Sequence, residues 1–170
     1  MKIFVMRFST VILIIVTIFW GILLGGMMYS HIVYFPAYLS DLPKSAVLAN
    51  GPYGLNDGIF WIIIHPLTLV SLLIALFANR KNKQRRKLIV LPLIVYVIAL
   101  IITSVYFVPE LMRFKDSPSS GIPASEWLSR SKNWMMFSII RGIGMFAAII
   151  PLFIALTRPQ EETIVPPANQ

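Results

Sequence analysis

The sequence predicts an all-α, polytopic membrane protein: an up-down bundle of four transmembrane helices with both termini in the cytoplasm. Three observations predict it. Of 170 residues, 57% are hydrophobic and 13% charged, against roughly 45–50% and about 25% in soluble domains; mean hydropathy is +0.77. The apolar residues fall into four runs, each close to the roughly 20 residues that cross a bilayer as a helix. The basic residues are shared unevenly among the loops, as the positive-inside rule requires.

The first run carries no formal charge from Phe8 to Ser40, and its span is expected over about 8–31. Lys2 and Arg7 precede it as they would a signal peptide. The run exceeds the roughly 7–15 apolar residues of such a segment, and no A-x-A-like cleavage site follows, so a retained helix is expected. The remaining spans are expected at about 58–78, 88–108 and 133–157, the last interrupted only by Arg141. No strand-like alternation appears, and helices satisfy every backbone group inside lipid. Residues 1–158 form one domain, and the proline-bearing tail 159–170 is expected to be disordered.

With the N-terminus inside, nine Lys and Arg lie on the inner segments and five on the outer ones, Arg141 being within the membrane. Six of the nine occupy the short loop Arg80–Lys87. This cluster is first a topology signal, compatible with anionic lipid; the +8 charge does not point to nucleic acid. A bacterial inner or plasma membrane is the expected location, with the bilayer and a hydrophobic small molecule as partners; a homo-oligomer is open. The outer loops are longer. Turn residues Pro43, Gly51, Pro52 and Gly54 punctuate 41–57, and Pro123, Ser125 and Glu126 predict a short surface helix starting near Trp127. No internal repeat stands out.

Polar residues collect in the outer half of the membrane. His31 is expected to end span one. His65 lies about 10 Å below the outer end of span two and Arg141 about 12 Å down span four, at 1.5 Å per residue. Thr103 has comparable depth and Glu110 lies above it. Trp61, His65 and Thr68 follow an i, i+4, i+7 spacing on span two, and Trp134, Ser138 and Arg141 repeat it on span four. Tyr96, Thr103 and Glu110 recur every seven residues on span three, with Tyr106 beside them. The pattern predicts an outward-facing polar and aromatic pocket, with Glu110 as partner of Arg141.

Each residue has a plainer structural role beside it. Arg141 is costly in lipid unless paired, so it serves a pocket or an internal hydrogen-bond network. His65 precedes Pro66, which deprives the Ile62 carbonyl of its donor, so it either supports a kinked helix or handles protons. His31 at an interface is either solvated or functional. Trp61 and Trp134 fit an aromatic belt as well as a pocket, and Trp127 is read as belt.

With no cysteine, disulfides and thiolate metal sites are excluded. No cofactor is expected. A two-histidine, one-carboxylate iron site from His31, His65 and Glu110 or Asp57 is the alternative, although no H-x-x-H or E-x-x-H spacing supports it. Gly21 and Gly25 on span one, with Gly144 and Ala148 on span four, form small-residue faces that predict close packing of these two helices.

Gly21-x3-Gly25 followed by Tyr29-Ser30, Val33, Pro36-Ala37, Leu39 and Leu42-Pro43 resembles the start of the anthrone-oxygenase-like integral membrane proteins. Trp134, Phe137, Ser138 and Arg141 resemble that family's W-x-x-[WF]-N-x-x-R signature opening the last helix. Ser138 stands where the family commonly has asparagine, and Ile139 where it often has histidine. The resemblance implies a four-helix membrane fold and an oxygenase activity.

Two functions follow. One is a cofactor-independent oxygenase for an apolar aromatic or quinone-like compound. His65 or His31 would be its base, Arg141 would hold the oxyanion, and Trp61, Thr103, Tyr106, Glu110, Trp134 and Ser138 would contact substrate. The other is a non-catalytic binder of lipid or another hydrophobe, or an accessory subunit. A transporter ranks last, because no paired discontinuous spans are visible.

Overall fold

The computed structural model describes residues 7–159; Lys2 and the tail expected beyond Pro159 lie outside them. Four long apolar helices are present, Phe8–Tyr38, Gly58–Ala78, Lys83–Lys115 and Ala124–Thr157, here spans one to four. No strand occurs among the described residues. The chain is a multi-pass, all-α four-helix bundle. Successive spans are neighbours, and span four closes the ring against span one.

Three spans overrun their predicted ends. Span one continues past His31 to Tyr38 through a π-helical segment, Ser30–Tyr34, and span three continues to Lys115 through another, Thr103–Phe107. In each the next amide reaches back five residues, Phe35 N–H to Ser30 O and Val108 N–H to Thr103 O. Pro36 and Pro109 follow, and neither can donate the usual bond to the carbonyl four residues earlier. The wide turn accommodates that gap and rotates the side chains beyond it by about 100°. The surface helix expected near Trp127 does not exist separately. Ala124–Ala147 is one helix, interrupted at Ala148 three residues before Pro151 and resumed over Ile149–Thr157.

Two layers of core hold the bundle. Leu13, Val16, Trp20, Leu72, Ile89 and Leu152 fill the membrane interior, and Trp20 Nε1 donates to Met145 O at 3.1 Å. An aromatic cluster including Tyr38, Phe114, Trp127 and Trp134 fills the outer end. Trp127 is 1% exposed and belongs to this core, which corrects its reading as an interfacial belt residue. At the inner end Arg85 is buried. Its guanidinium donates twice to Arg158 O, at 3.1 and 2.6 Å, and once to Thr10 Oγ1 at 3.0 Å. One member of the basic cluster is therefore a tie between spans one, three and four rather than a lipid-facing charge.

Spans one and four do meet, but not through the predicted glycines. Gly21, Gly25 and Gly144 face outward, and a Cβ on any of them would meet nothing within 4 Å. The close approach between them is Gly142 against Met27 Sδ, 3.3 Å from an added Cβ, while Gly26 lies against the Phe60 ring of span two. Gly25→Leu should therefore melt within about 0.5 kcal/mol of wild type, as outward-facing substitutions do. Gly142→Leu should lose about 1–3 kcal/mol by overpacking. Thermal unfolding in detergent checks the pair, and equal losses would remove this assignment of faces.

Candidate membrane-embedded anion site

Arg141 extends from span four to the π segment of span three. Nη1 donates to Thr103 Oγ1 at 2.6 Å and Nη2 to Ser138 Oγ at 3.1 Å. Its carbon sits 3.9 Å from the centroid of the Phe107 ring. Thr103 can accept this bond because its own hydroxyl proton is given to Ala99 O at 2.6 Å. The π turn thus supplies both the hydroxyl and the aromatic face, from its first and last residues.

No carboxylate of the described residues lies within ion-pair distance of Arg141. Glu110, its expected partner, is taken by other arginines. Arg130 reaches it through Nε at 2.6 Å and Nη2 at 2.9 Å, and Arg113 through Nη1 at 3.1 Å. The reason is helical: beyond the π turn the face carrying Glu110 rotates away from Arg141 and towards the start of span four. A lone arginine at such depth costs about 3 kcal/mol. Two hydroxyls and a ring offset part of that without neutralising the charge.

The guanidinium lines a groove of about 430 Å³ between spans three and four, with Ile98, Ile102, Tyr106, Phe107, Phe137 and Ile140. Ile98, Ile102, Phe137 and Ile140 are exposed at membrane depth, so the groove opens sideways into the hydrocarbon layer. The expected pocket opened outward; the opening observed is lateral.

On the other side of span four the hydrogen-bond chain continues. Ser138 Oγ lies 2.9 Å from His31 Nε2, and His31 Nδ1 lies 2.7 Å from Met27 O. A carbonyl only accepts, so Nδ1 carries a proton. In the neutral ring Nε2 is then bare and accepts the Ser138 hydroxyl. His31 is thus inside span one's π segment and not at the helix end where it was expected. It also lines a smaller groove of about 170 Å³ between spans one and four.

The remaining expected residues are placed elsewhere. His65 Nδ1 lies 2.8 Å from Tyr96 Oη, and Trp61 stacks on its ring with centroids 5.5 Å apart. Trp61 Nε1 donates to Asp57 Oδ2 at 3.2 Å. Neither His65 nor Trp61 lines the groove at Arg141. Trp134 is 2% exposed, and its Nε1 donates to Phe107 O at 3.1 Å. It supports the π turn from behind and does not line the groove. Thr103, Tyr106 and Ser138 do gather around Arg141.

Among the described residues no three His, Asp or Glu side chains converge as metal ligands. The alternative set of His31, His65 and Glu110 does not converge, and both His31 nitrogens, His65 Nδ1 and the Glu110 oxygens have the partners given above. Phe107 was missed as the ring beside Arg141, and Tyr96, placed by its spacing on the face of Thr103, pairs with His65. The sequence signal for Phe107 was its place two residues ahead of Pro109, as Tyr34 stands two ahead of Pro36. No family model, no curated protein and no solved structure matches the chain.

Proposed function

We propose that this protein binds a hydrophobic molecule with an anionic or oxyanionic head, taken laterally from the bilayer into the groove between spans three and four. One observation carries the reading: Arg141, without a carboxylate partner among the described residues, borders a lipid-facing apolar groove. Its forked donors suit a carboxylate or phosphate oxygen pair, and the groove walls suit an acyl chain or ring system. The positive-inside count supports a plasma or bacterial inner membrane with cytoplasmic termini.

The test uses brominated stearate as probe, with quenching of tryptophan fluorescence as readout. Arg141→Gln should weaken binding by about tenfold or more, the loss of a charge-assisted pair. Arg141→Lys should fall between, keeping the charge and losing the fork. The methyl ester of the probe should bind wild type no better than the acid binds Arg141→Gln. Equal affinity of wild type and Arg141→Gln would end the proposal.

A second reading, oxygenation of an anthrone-like compound, is favoured by the chain from His31 through Ser138 to Arg141 and by the family resemblance. The Ser138–His31 pair would accept a proton from the acidic CH2, and Arg141 would hold the enolate oxygen. The carbanion carbon would bond dioxygen, and the hydroperoxide would lose water as the new carbonyl forms. One CH2 plus one O2 thus gives one C=O and one H2O, with no cofactor. His31→Gln should abolish dioxygen uptake with anthrone and leave stearate binding unchanged; undiminished uptake would reject this reading.

A further inference from the structure

The two halves of the chain run in one register. The π segments start at Ser30 and Thr103, and the 3-10 turns beyond them start at Lys44 and Ser117; each pair is 73 positions apart (30 to 103, 44 to 117). The same step carries Pro36 onto Pro109, Trp61 onto Trp134 and Ala75 onto Ala148. Bilayer thickness makes spans similar in length, but it does not align a π turn, a proline and a tryptophan to the residue across two unlike loops. The packing agrees: span one lies against two as three lies against four, and the halves meet through one with four and two with three.

Every contact of Arg141 has its counterpart one step earlier. Thr103 corresponds to Ser30, Phe107 to Tyr34, Ser138 to His65, and Arg141 itself to Thr68. Ser30, Tyr34 and Thr68 are 4%, 5% and 0% exposed, so these equivalents also face inward. The register therefore assigns position 68 a hydroxyl and an aromatic ring on span one and a polar side chain one turn away. Thr68 spends its own hydroxyl on Ile64 O at 2.8 Å, which leaves the frame uncharged.

We infer that the chain is an internal duplication of a two-span hairpin, and that position 68 is a second frame for the intramembrane arginine, a neutral counterpart of the anion site at Arg141. The repeat escapes inspection of the sequence because most paired positions are interchangeable apolar residues, such as Val16 with Ile89 and Leu72 with Met145.

Transposing the arginine in the full chain tests this. Thr68→Arg combined with Arg141→Thr should fold and melt within about 3 °C of wild type, a shift of roughly 1 kcal/mol. Ser71→Arg combined with Arg141→Thr is the control. Ser71 is 4% exposed on the same helix, but its counterpart is Gly144, so no frame awaits a guanidinium there. The control should melt far lower or fail to fold. If both double variants collapse alike, the second frame does not exist. Stearate binding is read separately: Arg141→Thr alone losing no affinity rejects the anion-site proposal, and leaves the comparison of melting temperatures to decide the duplication.

Discussion

Glu110→Ala should destabilise the protein by about 3–5 kcal/mol, the cost of removing one partner from a buried charge network. The carboxylate is 9% exposed at its side chain and receives three guanidinium N–H bonds. Arg130 is the more confined partner, 24% exposed and 4.9 Å from the Trp127 ring centroid. Without Glu110, the carboxylate left to Arg130 is Glu126, at the longer distance of 3.6 Å. Arg113 is 65% exposed and donates a single bond, so Arg113→Ala should change stability by less than about 1 kcal/mol. Urea unfolding in mild detergent separates the two. Equal effects would mean that water reaches Glu110 freely and that the outer cluster does not enclose it.

Trp134→Ala should cost a similar amount, about 3–5 kcal/mol, and should also loosen the arginine site. The indole packs against Phe35 at 4.7 Å and Phe107 at 5.6 Å between centroids, joining spans one, three and four at the outer end. Its Nε1 holds Phe107 O, the last carbonyl of the π segment. Phe107 in turn carries the Arg141 guanidinium on its ring. Trp134→Phe keeps most of the apolar volume and removes only the hydrogen bond, so about 1–2 kcal/mol should be lost. If Trp134→Ala unfolds at the wild-type denaturant concentration, the aromatic cluster does not carry the outer end. If it destabilises without weakening stearate binding, Phe107 does not depend on the indole for its position.

Part of the candidate site was legible in the sequence. Arg141 announced itself by type and depth alone, because no other residue in the four apolar runs carries a formal charge. Thr103 and Ser138 followed from helical spacing, and the structure brings both to the guanidinium. Glu110 did not, since a straight helix from Thr103 would keep it on the same face, and the π turn at Thr103–Phe107 breaks that periodicity. His31 was displaced for the parallel reason in span one. Its apparent place at the helix end came from reading hydrophobic length, whereas Pro36 sits within a helix that accommodates it by a wide turn.

What the sequence determined by itself is therefore what depends on composition and on one helix at a time. Four runs long enough to cross lipid, the helical class imposed by the need to satisfy backbone groups there, and the presence of one charge at depth are all single-helix properties. The tertiary structure alone decided which faces meet. Gly21 and Gly25 offer the same small-residue pattern as any close-packing helix, yet the side chains opposite chose Gly26 and Gly142. Facing lipid or facing protein is equally apolar, so hydrophobicity carries no information about which side of a membrane helix turns inward. The same indifference hid the lateral opening of the groove. Only the relative rotation of spans three and four, set by Phe107, Trp134 and the π turn between them, exposes Arg141 to the bilayer rather than to the outer surface.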